Sequence, residues 1–284
     1  GQRAVAQKTH PAVKGVANAQ SSGASLVSFN AEAYESYGKS GNQCESAPMS
    51  KETAFAYTSA LNYLTANREH RQSIGDMTVV YWSKNGEEAY QSALDRFLSG
   101  ATKDESLKQQ DLSAIMTALA HGDPVTVDDD LLVPSEDFYL LGIAPNAARL
   151  SIRFFYRGTF GDLVTHIQQH YEDIDIVSER QNTWQTIPIW SLLKEIQPPG
   201  KNAETPPQTG GDLLRAVMTG GRYPRTLFNL AMLRIRSDNS VTQDHKEHSV
   251  TRGRAAIIKA YLIRNTKTNP NYANIKEVTT VALN

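Results

Sequence analysis

Asp137–Tyr156 has the sequence DFYLLGIAPNAARLSIRFFY, and it is the stretch that decides the fold. Two runs rich in β-forming residues, 137–143 and 149–156, are joined by the turn-forming segment 144–148. Apolar residues occupy every second position of the second run, namely Leu150, Ile152, Phe154 and Tyr156. This period of two is typical of a strand with one packed face, so the pattern predicts a β-hairpin over 137–157.

The hairpin is followed by a predicted helix over 159–171, and further elements lie on both sides of this unit. Before it, helices are predicted at 51–65, 87–98 and 107–120, strands at 26–29 and 77–82, and an acidic loop at 123–136. After it, helices are predicted at 188–197, 211–219, 224–238 and 249–265. The Pro/Gly-rich segment 198–211 predicts an exposed linker.

The predicted fold class is therefore α+β. A mixed strand and helix region over 1–197 contains the loop 18–25 and the hairpin 137–157. The linker 198–211 separates this region from a basic, mainly helical region over 212–284.

Composition excludes several classes of protein. The chain has 284 residues, 40% of them hydrophobic, which is enough for a sizeable core, and its net charge is −1. A single cysteine, Cys44, cannot form an internal disulfide, and this favours a cytoplasmic location. No apolar run reaches the ~18 residues that a membrane span needs, so no membrane contact is expected.

The near-zero net charge conceals an uneven distribution of charge. Residues 1–30 carry Lys8 and Lys14 but no acid, whereas 109–148 carry seven acids and no Lys or Arg. The segment 215–267 is again rich in Lys and Arg. Such asymmetry is typical of a nucleic-acid-binding protein, and two solvated surfaces of opposite sign are the alternative.

Two motifs resemble a phosphate-binding loop and a metal site, but each lacks residues that such a site needs. Gly38-Lys39-Ser40 lacks the glycine that a phosphate loop needs five residues earlier, because Ala33 stands there. His245 and His248 lack further ligands at plausible spacing, so a solvated loop is the better interpretation. We therefore predict no catalytic residue, no metal and no cofactor.

Two successive helices near the C-terminus carry basic residues on one side. In the first, a step of 100° per residue places Arg225, Asn229 and Arg236 on one stripe. In the second, Arg252 and Lys259 share a side. Either helix alone is more typical of an ordinary amphipathic helix, but two in succession favour a surface that binds the nucleic-acid backbone.

Five blocks of the sequence follow one another in the order of a known family. They are SFNAEAYESYGKSG (28–41), AYTSALNYL (56–64), FYLLGIAPNAARLSIRFFYRG (138–158), YPRTLFNLAMLRIRSD (223–238) and RAAIIKAYLIRN (254–265). In these blocks the chain resembles the large subunit of the type I-C CRISPR Cascade complex. Members of that family are about twice as long, so the resemblance covers only their middle portion. The flanking N-terminal portion and a helical C-terminal portion are expected to be missing from this chain.

The resemblance implies a DNA-binding subunit that is not an enzyme. Such a subunit sits beside the 5′ handle of the CRISPR RNA (crRNA), recognises the protospacer-adjacent motif in duplex target DNA and starts strand separation. The implied protein partners are the Cascade backbone subunits, the crRNA-handle-binding subunit and the small subunit. A helicase-nuclease that takes the displaced non-target strand is a further implied partner, and it performs the cutting.

The loop 18–25, NAQSSGAS, is the segment that the resemblance links to motif recognition. Large subunits of related complexes approach the motif with a glycine-containing loop, largely from the minor groove. Gly23 would let the backbone approach, while Gln20, Ser21 and Ser22 offer donors and acceptors to the base edges. A flexible linker and a purely structural turn are the alternatives for this segment.

The predicted DNA- or RNA-binding residues are Lys8, Lys14, Asn18, Gln20, Ser21, Ser22, Gly23, Asn30, Asn146, Arg149, Arg153, Arg225, Asn229, Arg236, Arg252, Arg254 and Lys259. Two other functions remain open on the sequence alone. The first is a stand-alone nucleic-acid-binding scaffold without a guide RNA. The second, with less support, is a hydrolase that uses the histidines of 244–248.

Overall fold

The computed structural model describes residues 4–29, 33, 43–99, 109–176, 187–198, 206–237 and 250–266. The predictions on Asn30, on the segment 38–40 and on the cluster 244–248 lie outside these residues. The helices of the described chain are α1 (Gln43–Ser46), α2 (Lys51–Ala66), α3 (Glu88–Ser99), α4 (Gln109–His121), α5 (Phe160–Ile174), α6 (Ile189–Glu195), α7 (Pro207–Thr219), α8 (Arg225–Ser237) and α9 (Arg252–Thr266). The strands are β1 (Arg71–Ile74), β2 (Met77–Ser83), β3 (Val125–Val127), β4 (Asp130–Leu132), β5 (Asp137–Asn146) and β6 (Arg149–Thr159).

These elements confirm the predicted α+β class and the hairpin. Strands β5 and β6 are neighbours in a four-stranded sheet of order β1-β2-β5-β6. The predicted packed face of β6 is only partly correct. Leu150 is buried with Ile143 in the core, but Ile152 keeps 54% of its surface exposed. The apolar cluster that packs on the sheet includes Leu150 but no later residue of β6, so packing on this face weakens after Leu150.

Two short segments differ from their predictions. Residues 26–29 form no strand. The residue before them, Ser25, makes an isolated β-bridge to Arg149 of the sheet. The predicted acidic loop contains a small hairpin, β3–β4, whose two turn residues Asp128 and Asp129 have φ of 51° and 70°. A two-residue turn needs positive φ, which aspartate tolerates better than most residues, so three successive acids fit a tight turn here.

Contacts divide the chain into two units. The first comprises 1–82 and 140–155, and the second comprises 83–139 and 156–284. The predicted linker 198–211 lies in the second unit, and its residues from Pro207 onward already belong to α7. The helix begins earlier than predicted because Pro207 is suited to the first helical turn, where no backbone N–H is needed.

The first unit has a compact apolar cluster between α2, β2 and the hairpin. It consists of Val13, Val16, Ala24, Leu61, Val80, Ile143 and Leu150. Helix α2 begins at a cap in which the Ser50 side chain accepts a hydrogen bond from the backbone N–H of Thr53. The cluster includes residues from both ends of the segment 13–24, so this segment is part of the core.

The second unit is built around α5. A capping box between Thr159 and Asp162 starts this helix, and α3, α4, α7 and α9 contact it. Buried Phe160 lies 5.0 Å from the ring of Tyr90 and 5.3 Å from that of Phe138. None of the helices in the described ranges combines the length and the hydropathy of a membrane span.

Candidate nucleic-acid interface

The segment around the loop 18–25 forms a closed turn. Val13 and Ala24 pair in antiparallel fashion, and each donates its backbone N–H to the carbonyl of the other, at 3.0 and 2.9 Å. Within the turn, the N–H of Gly23 donates to the Gln20 carbonyl at 2.9 Å. These bonds contradict the interpretation of 18–25 as a flexible linker.

The base of this turn is fixed to the first unit. Val13 and Ala24 are buried, and the N–H of Ala17 donates to the Thr78 hydroxyl at 2.9 Å. The Asn18 side-chain amide donates to the Gly75 carbonyl at 3.3 Å. Asn18 therefore serves as an anchor of the turn, and its φ of 59° is one that asparagine tolerates.

Two polar side chains that the sequence analysis did not single out complete this anchoring. The Asn62 amide donates to the Ala12 carbonyl and its oxygen accepts from the N–H of Lys14, at 3.1 and 2.8 Å. A guanidinium nitrogen of Arg71 donates to the Gly15 carbonyl at 2.5 Å. Both partners lie far away in the sequence, so no local pattern indicates these contacts.

Gly23 has a structural reason to be glycine. Its φ is +97°, and a Cβ added there would lie 3.0 Å from the side chains of Ala12 and Lys14. The sequence explained Gly23 by close approach to a partner, but the close approach that the structure contains is to its own strand. The structural-turn alternative thus accounts for the glycine at this position, and a contact of Gly23 with DNA stays a prediction.

The tip of the turn presents polar groups to solvent. Gln20, Ser21 and Ser22 are all exposed, and none of them carries a charge. Lys14, on the first strand of the turn, is also exposed, as is Lys8 earlier in the chain. The arrangement combines an exposed, neutral hydrogen-bonding tip with a buried base and one adjacent cation, Lys14.

Ser25 brings the hairpin turn next to this loop. It pairs in parallel with Arg149, and its carbonyl accepts from the N–H of Leu150 at 3.0 Å. Asn146, in the hairpin turn, is exposed. Arg153 is exposed and forms an ion pair with Asp76, with 3.4 Å between nitrogen and oxygen. The structure thus brings the predicted residues of 18–25 and 146–149 together, which the sequence did not predict.

In α8 the structure confirms the predicted placement of the basic stripe. Arg225, Asn229 and Arg236 are exposed, whereas Arg234 is buried at 9% exposure and bonds to Ser237. Leu233 lies on the exposed side as well, with 58% of its surface accessible. The sequence analysis did not include Leu233 in this stripe.

In α9 the predicted binding residues have partners within the protein, and their role in nucleic-acid binding stays a prediction. Arg254 is 8% exposed, and its guanidinium donates to the Glu195 carbonyl at 3.1 Å. Arg252 lies 3.9 Å from an Asp175 carboxylate oxygen. The Lys259 ammonium donates to the carbonyls of Asp175 and Glu172 at the C-terminal end of α5. Helix α9 packs on α5 and α6, so these cations satisfy helix-end carbonyls and carboxylates of the same unit.

The second unit also contains a buried polar network that sequence reasoning missed. A guanidinium nitrogen of Arg264 lies 2.5 Å from a carboxylate oxygen of Asp173, and the guanidinium lies 4.6 Å from the Tyr223 ring. His170 lies 2.5 Å from the Tyr223 hydroxyl. Burial, with a smaller contribution from Arg264, lowers the pKa of His170 to about 3. The apolar residues at helical spacing along α5 could have indicated that this helix packs against others, but not the pairing of Arg264 with Asp173.

Within the described ranges, no three His, Cys, Asp or Glu side chains converge as metal ligands would. The search among curated proteins found no match to the chain. One family model, described as CRISPR-associated protein (Cas_Csd1), matches residues 1–284. A match over that length shows the family, and the chain belongs to the CRISPR-associated Cas_Csd1 proteins.

Proposed function

We propose that this chain is the large subunit of a type I-C Cascade complex and binds DNA without catalysing a reaction. Its partners are the crRNA, the backbone subunits, the crRNA-handle-binding subunit and the small subunit. It recognises the protospacer-adjacent motif in duplex DNA, assists R-loop formation and helps recruit the helicase-nuclease to the displaced strand. The assembly works in the cytoplasm. Membership of the Cas_Csd1 family supports the CRISPR context of this proposal.

The observation that carries the proposal is the neutral tip on a fixed base. Minor-groove edges offer few distinguishing groups, and uncharged donors and acceptors such as those of Gln20 and Ser22 suit them. A loop that inserts between or beside bases must keep its conformation under load. The buried residues Val13 and Ala24 hold the base of this turn in the core. Exposed Lys14 supplies a cation for an adjacent phosphate.

The hairpin turn lies beside the end of the loop 18–25. Ser25 pairs through its backbone with Arg149, and exposed Asn146 belongs to the same hairpin turn. Polar groups from two elements can contact both the base edges and the sugar-phosphate backbone. We therefore assign the recognition surface to the first unit.

The test of this proposal is biochemical isolation followed by DNA binding. The chain, expressed with its neighbouring proteins and a crRNA, should co-purify with that RNA and with repeated backbone subunits. The purified complex should prefer duplex targets that carry the motif. Isolation of the chain on nucleic acid without any guide would instead support a stand-alone scaffold. Preference for no motif at all would contradict the proposed recognition.

A further inference from the structure

Helix α8 presents one exposed face with a distinctive composition. Arg225, Asn229, Leu233 and Arg236 follow one another at intervals of four, four and three residues, which keeps them on one side of the helix. The opposite side, with Leu227 and Ala231, is buried. At 1.5 Å per residue the face extends over about 16 Å. We call these four residues the α8 face.

The two cations of the α8 face differ in their surroundings from the cations of α9. Among the described residues, neither Arg225 nor Arg236 has an ion-pair or hydrogen-bond partner, and α8 itself contains no acid. This distinguishes α8 from α9, where Arg254 and Lys259 bond to the protein itself. Two guanidinium groups that have no partner among the described residues, one near each end of the helix, favour a partner that carries negative charge.

Leu233 distinguishes between the two kinds of negative partner. It is 58% exposed and lies between Asn229 and Arg236 on the helix surface. A nucleic-acid backbone offers only phosphate and sugar to cover it, so its burial there would gain little. A protein can cover it with an apolar side chain, and an apolar centre bordered by arginine is typical of protein interfaces.

The α8 face is also held firmly. The ring of Phe228 stacks on that of Tyr261 in α9, with centroids 4.5 Å apart and 20° between the planes. This contact fixes the rotation of α8 about its own axis, because it lies on the side that faces α9. A face that is already oriented loses little entropy on binding.

We infer that the α8 face docks an acidic segment of another protein. Carboxylates of that segment pair with Arg225 and Arg236, Asn229 bonds to its backbone or side chains, and an apolar side chain covers Leu233. The inference rests on the proposed function, because the partner is a protein of the same ribonucleoprotein. It assigns α8 to protein assembly and leaves DNA recognition to the first unit.

In the experiment, the full chain is titrated into a guide-loaded ribonucleoprotein that was prepared without this subunit. The measured quantity is the affinity of the chain for that ribonucleoprotein. Leu233→Ser should weaken assembly about tenfold, as expected when a buried apolar anchor is lost. Leu131→Ser is the matched control, because Leu131 is 57% exposed on the acidic hairpin β3–β4. It should change the affinity less than about twofold. Both leucines are exposed, so neither change should alter the melting temperature.

The double variant Arg225→Ala/Arg236→Ala should weaken assembly and reduce its dependence on salt. Duplex binding by the complex, measured at saturating concentrations of the chain, should keep its wild-type salt dependence. Unchanged assembly by Leu233→Ser, together with a reduced salt slope of duplex binding in the double variant, would assign the face to nucleic acid and overturn the inference. Unchanged assembly and duplex binding in all variants would also overturn it, since the face would then be solvated.

The wild-type chain separates failure of this inference from failure of the proposed function. If the wild-type chain does not join the ribonucleoprotein, the proposed function is wrong and the inference fails with it. If the wild type joins and binds duplex DNA, and Leu233→Ser joins equally well, only the inference fails.

Discussion

Arg264 and Asp173 form an ion pair inside the second unit, with 2.5 Å between nitrogen and oxygen and side chains only 4% and 3% exposed. The guanidinium of Arg264 also donates to the carbonyls of Ala216 and Gly221, at 3.0 and 3.2 Å. The pair therefore joins α5 and α9 to the end of α7. A buried charge pair of this kind is costly to break by removing one member, because the other member stays buried without compensation.

We predict that Asp173→Ala destabilises the chain by about 3–5 kcal/mol, because it leaves a buried guanidinium unpaired. The double variant Asp173→Leu/Arg264→Leu should lose less stability than the sum of the losses of Asp173→Leu and Arg264→Leu. Urea unfolding of these three variants, of Asp173→Ala and of the wild type, followed by circular dichroism, measures both quantities. Strict additivity of the two single changes would show that the pair is not coupled.

His170 should make the stability dependent on pH. Burial and the nearby Arg264 lower its pKa from 6.5 to about 3, so the folded chain keeps it neutral while the unfolded chain protonates it. Between these two values the unfolded state binds more protons, and stability therefore falls as the pH falls from about 6.5 toward 3. The contribution of this residue reaches at most about 1.4 kcal/mol per pH unit.

We expect His170→Gln to lower stability at pH 7, because the bond to Tyr223 changes, but to reduce the loss between pH 7 and pH 5. Unfolding free energies at the two pH values for wild type and variant give the measurement. His121→Gln is a suitable control, since His121 is exposed at the end of α4. An equal acid loss in wild type and His170→Gln would show that other groups cause it.

Gly23→Val tests whether the turn depends on glycine for its own structure. The positive φ and the contacts with Ala12 and Lys14 should together cost about 1–3 kcal/mol. Gly122→Val is a close control, because Gly122 has φ of +96° but no atom within 4 Å of an added Cβ. Gly23→Val should lower the melting temperature more than Gly122→Val. Equal effects would mean that the contacts are relieved without cost.

Lys259→Met should act on stability rather than on DNA. The Lys259 ammonium bonds to carbonyls at the end of α5, so its loss should cost about 1 kcal/mol. The salt dependence of duplex binding should remain that of the wild type. A salt slope reduced by about one unit would show a phosphate contact and would restore the interpretation that the sequence favoured.

Helices and strands were predictable where apolar residues recur at one regular spacing over many residues. The hairpin at 137–157, α2, α5 and α8 all show such periods, because one face of each packs on the core. The hairpin β3–β4 was missed because Asp128–Asp130 resembles a solvated loop, although the same residues tolerate the dihedrals of a tight turn. Local composition does not distinguish these two outcomes.

The candidate site was predictable only in part, for a different reason. The sequence indicated the polar tip of 18–25 and the stripe on α8, because exposure follows from local pattern. The sequence favoured a binding surface for Arg254 and Lys259. It did not show their partners in the protein, Glu195 and the end of α5, because these lie in distant segments. The pairing of Ser25 with Arg149 was hidden for the same reason, since tertiary contacts between distant residues leave no local periodicity.

The proposed recognition of duplex DNA depends on the exposed tip of the loop 18–25. It can be tested by replacing Gln20, Ser21 and Ser22 with alanine in the assembled, guide-loaded complex. All three side chains are exposed, so folding should be unaffected and the melting temperature should stay at the wild-type value. Ser135→Ala, an exposed serine of the second unit, is the control.

The measurement is the affinity of each complex for a duplex target that carries the correct motif and for the complementary single strand alone. Each lost polar contact is worth about 0.5–1.5 kcal/mol, so duplex binding by the triple variant should fall roughly tenfold or more. Binding to the single strand should remain unchanged, because that strand pairs with the guide and needs no motif recognition. An equal loss on the two substrates, or no loss on the duplex, would contradict the assignment of the tip to motif recognition.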